Sequence, residues 1–244
     1  MDWQTLAGLI LPGLATGLGS LSVLAMPRPG DRLMATLLGF TGGIMLAAAV
    51  FSLLVPALEL GSLGEVLSGF AVGTLAIAAF DAALPHAHPR FIERGRNEGS
   101  RALLLLGALT IHNIPEGLAV GVAFAAGGTD LGLPVAIAIG IQNIPEGFAA
   151  APPLLDAGTS RAAAIALAAT TGLVEPPAAL LGYGASETSA SILPLGLAFA
   201  AGAMVYVVLD ELVPESHARG YERLATLGAV GGFAVMMALD TAFG

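Results

Sequence analysis

Cut at its charges and its Pro/Gly clusters, this 244-residue chain falls into eight long apolar stretches with almost nothing left over. They run roughly over 5–26, 33–58, 63–85, 101–126, 132–153, 161–184, 191–213 and 224–242. Each has the length, about 20 residues, that carries an α-helix across a hydrocarbon core of about 30 Å. The chain holds 9 basic and 18 acidic residues, 11% charged, with 56% hydrophobic residues and a mean hydropathy of +0.84. A soluble domain carries about 25% charged residues, so these are too few to coat a soluble surface. Disorder is excluded by the same apolar excess. The expected fold class is all-α: a polytopic membrane protein of eight transmembrane helices, forming one transmembrane domain over 1–244.

Every basic residue is Arg, and all nine fall in odd-numbered connections: Arg28 and Arg32; Arg90, Arg94, Arg96 and Arg101; Arg161; Arg219 and Arg223. The even connections carry only acids, namely Glu59 and Glu65, Asp130 and Glu187. Arg-bearing loops stay cytoplasmic, which predicts both termini outside and a multi-pass protein of the inner or plasma membrane. The opening MDWQTLAGLI lacks the basic start and small-residue cleavage site of a signal peptide, so its apolar stretch is expected to remain as a span. A net charge of −9 argues against nucleic acid as a partner. With no cysteine, disulfides and thiolate metal sites are excluded.

The fourth stretch contains His112-Asn113-Ile114-Pro115-Glu116-Gly117 and the fifth contains Gln142-Asn143-Ile144-Pro145-Glu146-Gly147. Consecutive spans run antiparallel, so one motif is presented twice in opposite senses, the footprint of an inverted repeat whose axis passes through a substrate site. His112 and Glu116 are i and i+4 and share a helix face, with Asn113 beside it. Pro115 and Pro145 lack an N–H and free the carbonyls of Ile111 and Ile141. A carboxylate at the bilayer centre costs about 2.5–3.5 kcal/mol on insertion scales. Two Glu at one depth with no Arg in reach cannot both ionise without a counter-charge. A divalent cation held by carboxylate, imidazole and amide groups supplies it; protonation is the other solution.

Glu175, in GLVEPPA of the sixth stretch, adds a third acid at that depth, room for a second ion. Asp210 and Glu211, followed by Glu215 and His217, read either as an exit path for cations or as interfacial charges. Glu59 and Glu65 read either as an acidic entrance or as loop-solubilising groups. Asp81 reads as interfacial, and Ser52 and Thr110 as packing residues. His86 and His88, opening the polar stretch 86–101, read as a solvated turn or a weak metal-gathering pair.

HNIPEG followed 30 residues later by QNIPEG resembles the ZIP (Zrt/Irt-like) transporters of divalent metals, prokaryotic branch. GFTGGIMLAAAVFSLLVPALE, GLVEPPAALLGY and GAMVYVVLDELVPESH extend the likeness over nearly the whole chain. The resemblance implies eight helices in a 3+2+3 inverted arrangement and a homodimer. It implies uptake of zinc and cadmium into the cytoplasm, with metal ions bound as cargo and no prosthetic group. It implies a binuclear site, one ion on His112, Glu116, Gln142 and Glu146, the other on Asn113, Glu116, Asn143, Glu146 and Glu175. It also implies helices one, four, five and six moving against the rest, and cytoplasmic release past Asp210 and Glu211. Gln142 departs from the His that many members have there. Its amide oxygen is a harder ligand than imidazole, which opens the site to Fe²⁺, Mn²⁺ or Co²⁺. The competing reading, an intramembrane metal-dependent hydrolase, lacks a His-Glu-x-x-His motif; the chain is not expected to be an enzyme.

Overall fold

The computed structural model describes residues 1–83, 98–187 and 192–243, and these are helical without a β-strand among them. In chain order the helices are α1 (Trp3–Ser20), α2 (Asp31–Ala47), α3 (Val55–Leu60), α4 (Leu63–Ala83), α5 (Glu98–Asp156), α6 (Arg161–Gly172), α7 (Glu175–Glu187), α8 (Leu193–Val207), α9 (Val213–His217) and α10 (Glu222–Phe243). Asp2 caps α1, its Oδ1 accepting from the Thr5 N–H at 2.7 Å, which holds its carboxyl below the usual carboxylate range. A 3₁₀ turn, Leu21–Leu24, prolongs α1.

Seven segments among the described residues are long and apolar enough to cross a membrane. One of them, Leu109–Asp156, has 48 residues, about 72 Å at 1.5 Å per residue and over twice the hydrocarbon thickness. It does not run straight. Gly127 and Gly128 leave helical geometry, Gly128 with φ +58°, a left-handed conformation that L side chains rarely take. The two limbs fold back on each other: Phe124 stacks into the notch at Gly132, and farther from the break Glu116 faces Gln142. The expected stretches 101–126 and 132–153 are therefore two helical limbs that meet at the Gly127–Gly128 kink.

Proline interrupts other spans. Ala48–Leu54 is a π-helical segment just ahead of Pro56, and Val208–Leu212 another just ahead of Pro214. Each Pro cannot donate to the carbonyl four residues back, and the chain widens its turn there. In the sixth span the helix stops at Gly172 and restarts at Glu175-Pro176. Broken helices at membrane depth are tolerated where they are buried in protein.

Backbones touch where glycine removes the side chain, and these close approaches sort the helices into a first group, α1 with α5, α6 and α7, and a second made of two separate pairs, α2 with α10 and α4 with α8. In the first, a Cβ on Gly147 of α5 would strike the Thr16 carbonyl of α1, one on Gly13 of α1 the Gly172 carbonyl of α6, and one on Gly121 the Ala179 carbonyl of α7. In the second, Gly43 of α2 abuts the Ala229 carbonyl of α10, and Gly73 of α4 abuts the Phe199 carbonyl of α8. Small residues let apolar helices pack this closely when lipid offers no hydrophobic drive. At Gly196 of α8, which faces α5 across the groups, the nearest atoms are side-chain atoms of Val122.

Gly43→Val should therefore destabilise the second group by about 1–3 kcal/mol, lowering the melting temperature in detergent. Gly231→Ala, where an added Cβ meets nothing within 4 Å, should leave it unchanged or raise it slightly.

Candidate metal centre

The centre is assembled by the two hexapeptides of α5 and the start of α7. Their glycines bring the partners in. A Cβ on Gly117 would collide with the Glu175 carbonyl, so that glycine seats Glu175 one turn from Glu116. Gly147 does the same for α1. Pro12 of α1 then offers its carbonyl to Asn143 Nδ2 at 2.9 Å, and the same Nδ2 donates to Glu175 Oε1 at 2.7 Å. Both acceptors fix the amide, turning Asn143 Oδ1 the other way.

Asn113, Glu116, Gln142 and Asn143 have no exposed surface, Glu175 has 1% and Glu146 4%. Glu116 lies within electrostatic reach of both Glu146 and Glu175. Among the described residues, no hydrogen-bond partner meets either oxygen of Glu116, the Oδ1 atoms of Asn113 and Asn143, Oε1 of Gln142 or Oε2 of Glu175. Against these buried acceptors stand only two unpartnered amide donors, on Asn113 and Gln142. A buried polar atom left unpaired costs about 1–3 kcal/mol. An excess of converging oxygens over donors is the arrangement that a cation relieves, and carboxylates with amide oxygens and one imidazole suit a borderline divalent ion. All nine Arg lie at or beyond the ends of the apolar stretches, so the protein brings no cation of its own.

His112 is 7% exposed, and its Nε2 meets Glu211 Oε1 at 2.6 Å. This contact bridges the two helix groups, from α5 to the π-helical segment before α9. Ligand oxygens of Asp81, Asp210 and Glu211 lie within 4.8 Å of one another. Asp81, expected to be interfacial, is set beside Asp210 and Glu211, a neighbourhood that the sequence did not supply. The available signal was topological, because Asp81 ends the third span at the same membrane face where Asp210 and Glu211 end the seventh.

The other candidates lie apart. Glu215 pairs with Arg219 at 2.6 Å, and Arg219 also reaches Asp31 at 3.4 Å. His217 turns toward α10, its Nδ1 2.8 Å from the Val213 carbonyl and its Nε2 3.4 Å from Thr226 Oγ1. It lines an apolar cavity of about 240 Å³ between α2 and α10. Glu59 is exposed, and Glu65 accepts from the Ser62 N–H and hydroxyl, both at 2.8 Å, at the start of α4. Ser52 does more than pack: its hydroxyl donates to Asp240 Oδ1 at 2.7 Å. Thr110 bonds its own helix at the Leu106 carbonyl. His86 and His88 lie outside the described residues.

Comparison with known proteins adds the following. The family described as ZIP zinc transporter matches residues 92–240. The zinc transporter GufA of Myxococcus xanthus is 42% identical, covering 98% of this chain and 99% of its own length. The zinc transporter ZIPB of Bordetella bronchiseptica is 41% identical over 94% of this chain and 78% of its own. The zinc transporter ZupT of Corynebacterium efficiens is 38% identical over 97% of each.

Asn143→Ala should cost about 1–3 kcal/mol through the orphaned Pro12 carbonyl and Glu175 oxygen. The check is thermal unfolding in metal-free detergent, where the variant should melt below the parent.

Proposed function

We propose, from the premise that this chain belongs to the ZIP zinc transporter family, that divalent cations cross the membrane through the Glu116–Glu146–Glu175 centre. The protein is a multi-pass membrane protein of the cell membrane, it transports divalent metal ions, and it is not an enzyme. Zinc, the metal in its relatives' names, is the primary cargo. The observation that carries the assignment to this centre is the cluster of buried carboxyl and amide oxygens with no partner and no basic residue.

One ion sits on His112, Glu116, Gln142 and Glu146. A second sits on Asn113, Glu116, Asn143, Glu146 and Glu175, with Glu116 and Glu146 shared. The two limbs of α5 count as separate crossings, which makes eight, with both termini outside and the Arg-bearing connections inside. The pairs Arg28–Asp156 and Arg219–Asp31 support that side, since each ties an Arg-bearing connection to a helix end. The whole chain 1–244 acts as one transporter unit, paired as a homodimer.

Transport is by alternating access, with α1, α5, α6 and α7 moving against α2, α3, α4, α8 and α10. The glycine contacts support this, because backbones interlock among α1, α5, α6 and α7, whereas Gly196 of α8 meets α5 only at side-chain atoms of Val122. The ion loses water to the centre and leaves toward the cytoplasm past Glu211, Asp210 and Asp81. His112 ligates the ion in one state and holds Glu211 in the other, so the same imidazole links occupancy to the exit acids. Glu215 and His217 follow at the inner rim, and Glu59 and Glu65 gather cations outside.

Zinc-65 uptake into proteoliposomes tests the centre: Glu146→Ala should lower uptake at least tenfold, and unchanged uptake would reject the site. Cadmium should compete with zinc in the same assay. Gln142→His should shift a metal panel toward zinc and cadmium and away from Mn²⁺ and Fe²⁺, because imidazole is the softer ligand.

A further inference from the structure

A groove of about 630 Å³ runs along the seam between α1 and the second limb of α5. Its floor is made of small residues, among them Ala7, Gly8, Ala136 and Gly140, and its walls of Leu11, Ile137 and Ile144. The floor is sealed from below at Gly8, where a Cβ would strike the buried ring of Phe124. The groove follows α1 from Gln4 to Ala15, about 16 Å at 1.5 Å per residue. That is about the depth of one leaflet, half of a core of about 30 Å.

The two ends differ in chemistry. One end is apolar, between Ala15 and Ile144. The other holds Trp3, Gln4, Thr129 and Asp130. Trp3 is the only Trp of the chain and is 75% exposed, as an interfacial anchor is. Asp130 is exposed at the fold-back of α5. Asp2, its acidic neighbour on α1, already caps the helix through Thr5, which leaves Asp130 as the acceptor over the groove.

We infer that this groove holds one acyl chain of a phospholipid bearing a primary ammonium headgroup, of the phosphatidylethanolamine type. An acyl chain gains no hydrophobic energy by leaving other lipid for the groove, so selectivity must come from the headgroup. Asp130 accepts the ammonium N–H bonds, and the Trp3 ring attracts the same cation through its π face. A quaternary ammonium has no N–H to donate and an anionic headgroup meets Asp130 with like charge; both are disfavoured. The site has a route to the centre. Pro12 lines the groove and its carbonyl holds Asn143, and Ile144, the next residue, forms a wall. A seated chain thus wedges α1 at the spacing that the Pro12–Asn143–Glu175 relay uses.

The binding claim requires only that the chain spans a membrane; it does not depend on the cargo. The full chain is extracted from vesicles of equal phosphatidylethanolamine, phosphatidylcholine and phosphatidylglycerol, and its retained lipid is measured by native mass spectrometry. Phosphatidylethanolamine should be enriched at least fivefold over either other lipid. Asp130→Asn should abolish that preference. Gly140→Phe fills the groove at a position where an added Cβ meets only Pro12 Cα at 3.8 Å, and it should remove the retained lipid while the protein stays folded by melting curve. Equal retention of the three lipids, or a preference untouched by both variants, would overturn the proposal. So would disulfide crosslinking of the Trp3→Cys variant to a second copy, because the groove would then be covered by protein. Zinc-65 uptake in vesicles with and without phosphatidylethanolamine reads the coupling, with a several-fold fall expected when the lipid is absent. If retention is selective but uptake is indifferent to lipid, the site stands and the coupling through Pro12 falls.

Discussion

Carboxyl groups deep inside an apolar helical bundle set the terms for everything around them. Glu116, Glu146 and Glu175 are almost wholly buried and within electrostatic reach of one another. No Arg lies inside the apolar stretches. Such a cluster is tolerable only if something positive visits it or protons neutralise it. The polar neighbours relieve it only at Glu175 Oε1, which accepts from Asn143, while Asn113, Gln142 and Asn143 add further unpaired oxygens. The chain spends interior volume on polar oxygens of which several find no partner within the protein, an arrangement that suits a carrier of cations better than a purely structural bundle.

Holding those groups at one depth dictates the rest of the fold. Each hexapeptide ends in a glycine that admits a neighbouring helix, α7 at Gly117 and α1 at Gly147. Each contains a proline that interrupts the helical ladder beside the carboxylate. The break at Gly172–Glu175 starts α7 at the third acid, where the N-terminal end of the helix dipole favours a negative charge. The π-helical turn before Pro214 carries Asp210 and Glu211, and Glu211 is met by His112. Irregular backbone thus lies beside Glu175, Asp210 and Glu211, while α10 and α4 are regular helices seated by glycine contacts together with side-chain contacts such as Ser52–Asp240 and Thr74–Gly202.

Much of this was legible before any coordinates. The apolar stretches foretold the helices, and the paired hexapeptides foretold which side chains would converge. Glu175 could be joined to them from its depth alone. What could not be read was lateral placement. Depth put Asp81 at the interface, but only packing of α4 against α8 sets it within 4.8 Å of Asp210 and Glu211. Periodicity put His217 after the exit acids, yet the turn at α9 aims it at Thr226 and α10. Ser52 looked like a small packing residue because its partner, Asp240, lies 188 positions away.

The central claim is that two cations share the buried carboxylates. Anomalous scattering from crystals grown with cadmium tests it most directly. Two peaks are predicted between Glu116 and Glu146, about 3.5–4 Å apart as in carboxylate-bridged pairs, one toward His112 and one toward Glu175. Cadmium density confined to the Asp81–Asp210–Glu211 cluster or to surface acids, with the space between Glu116 and Glu146 empty, would contradict the account.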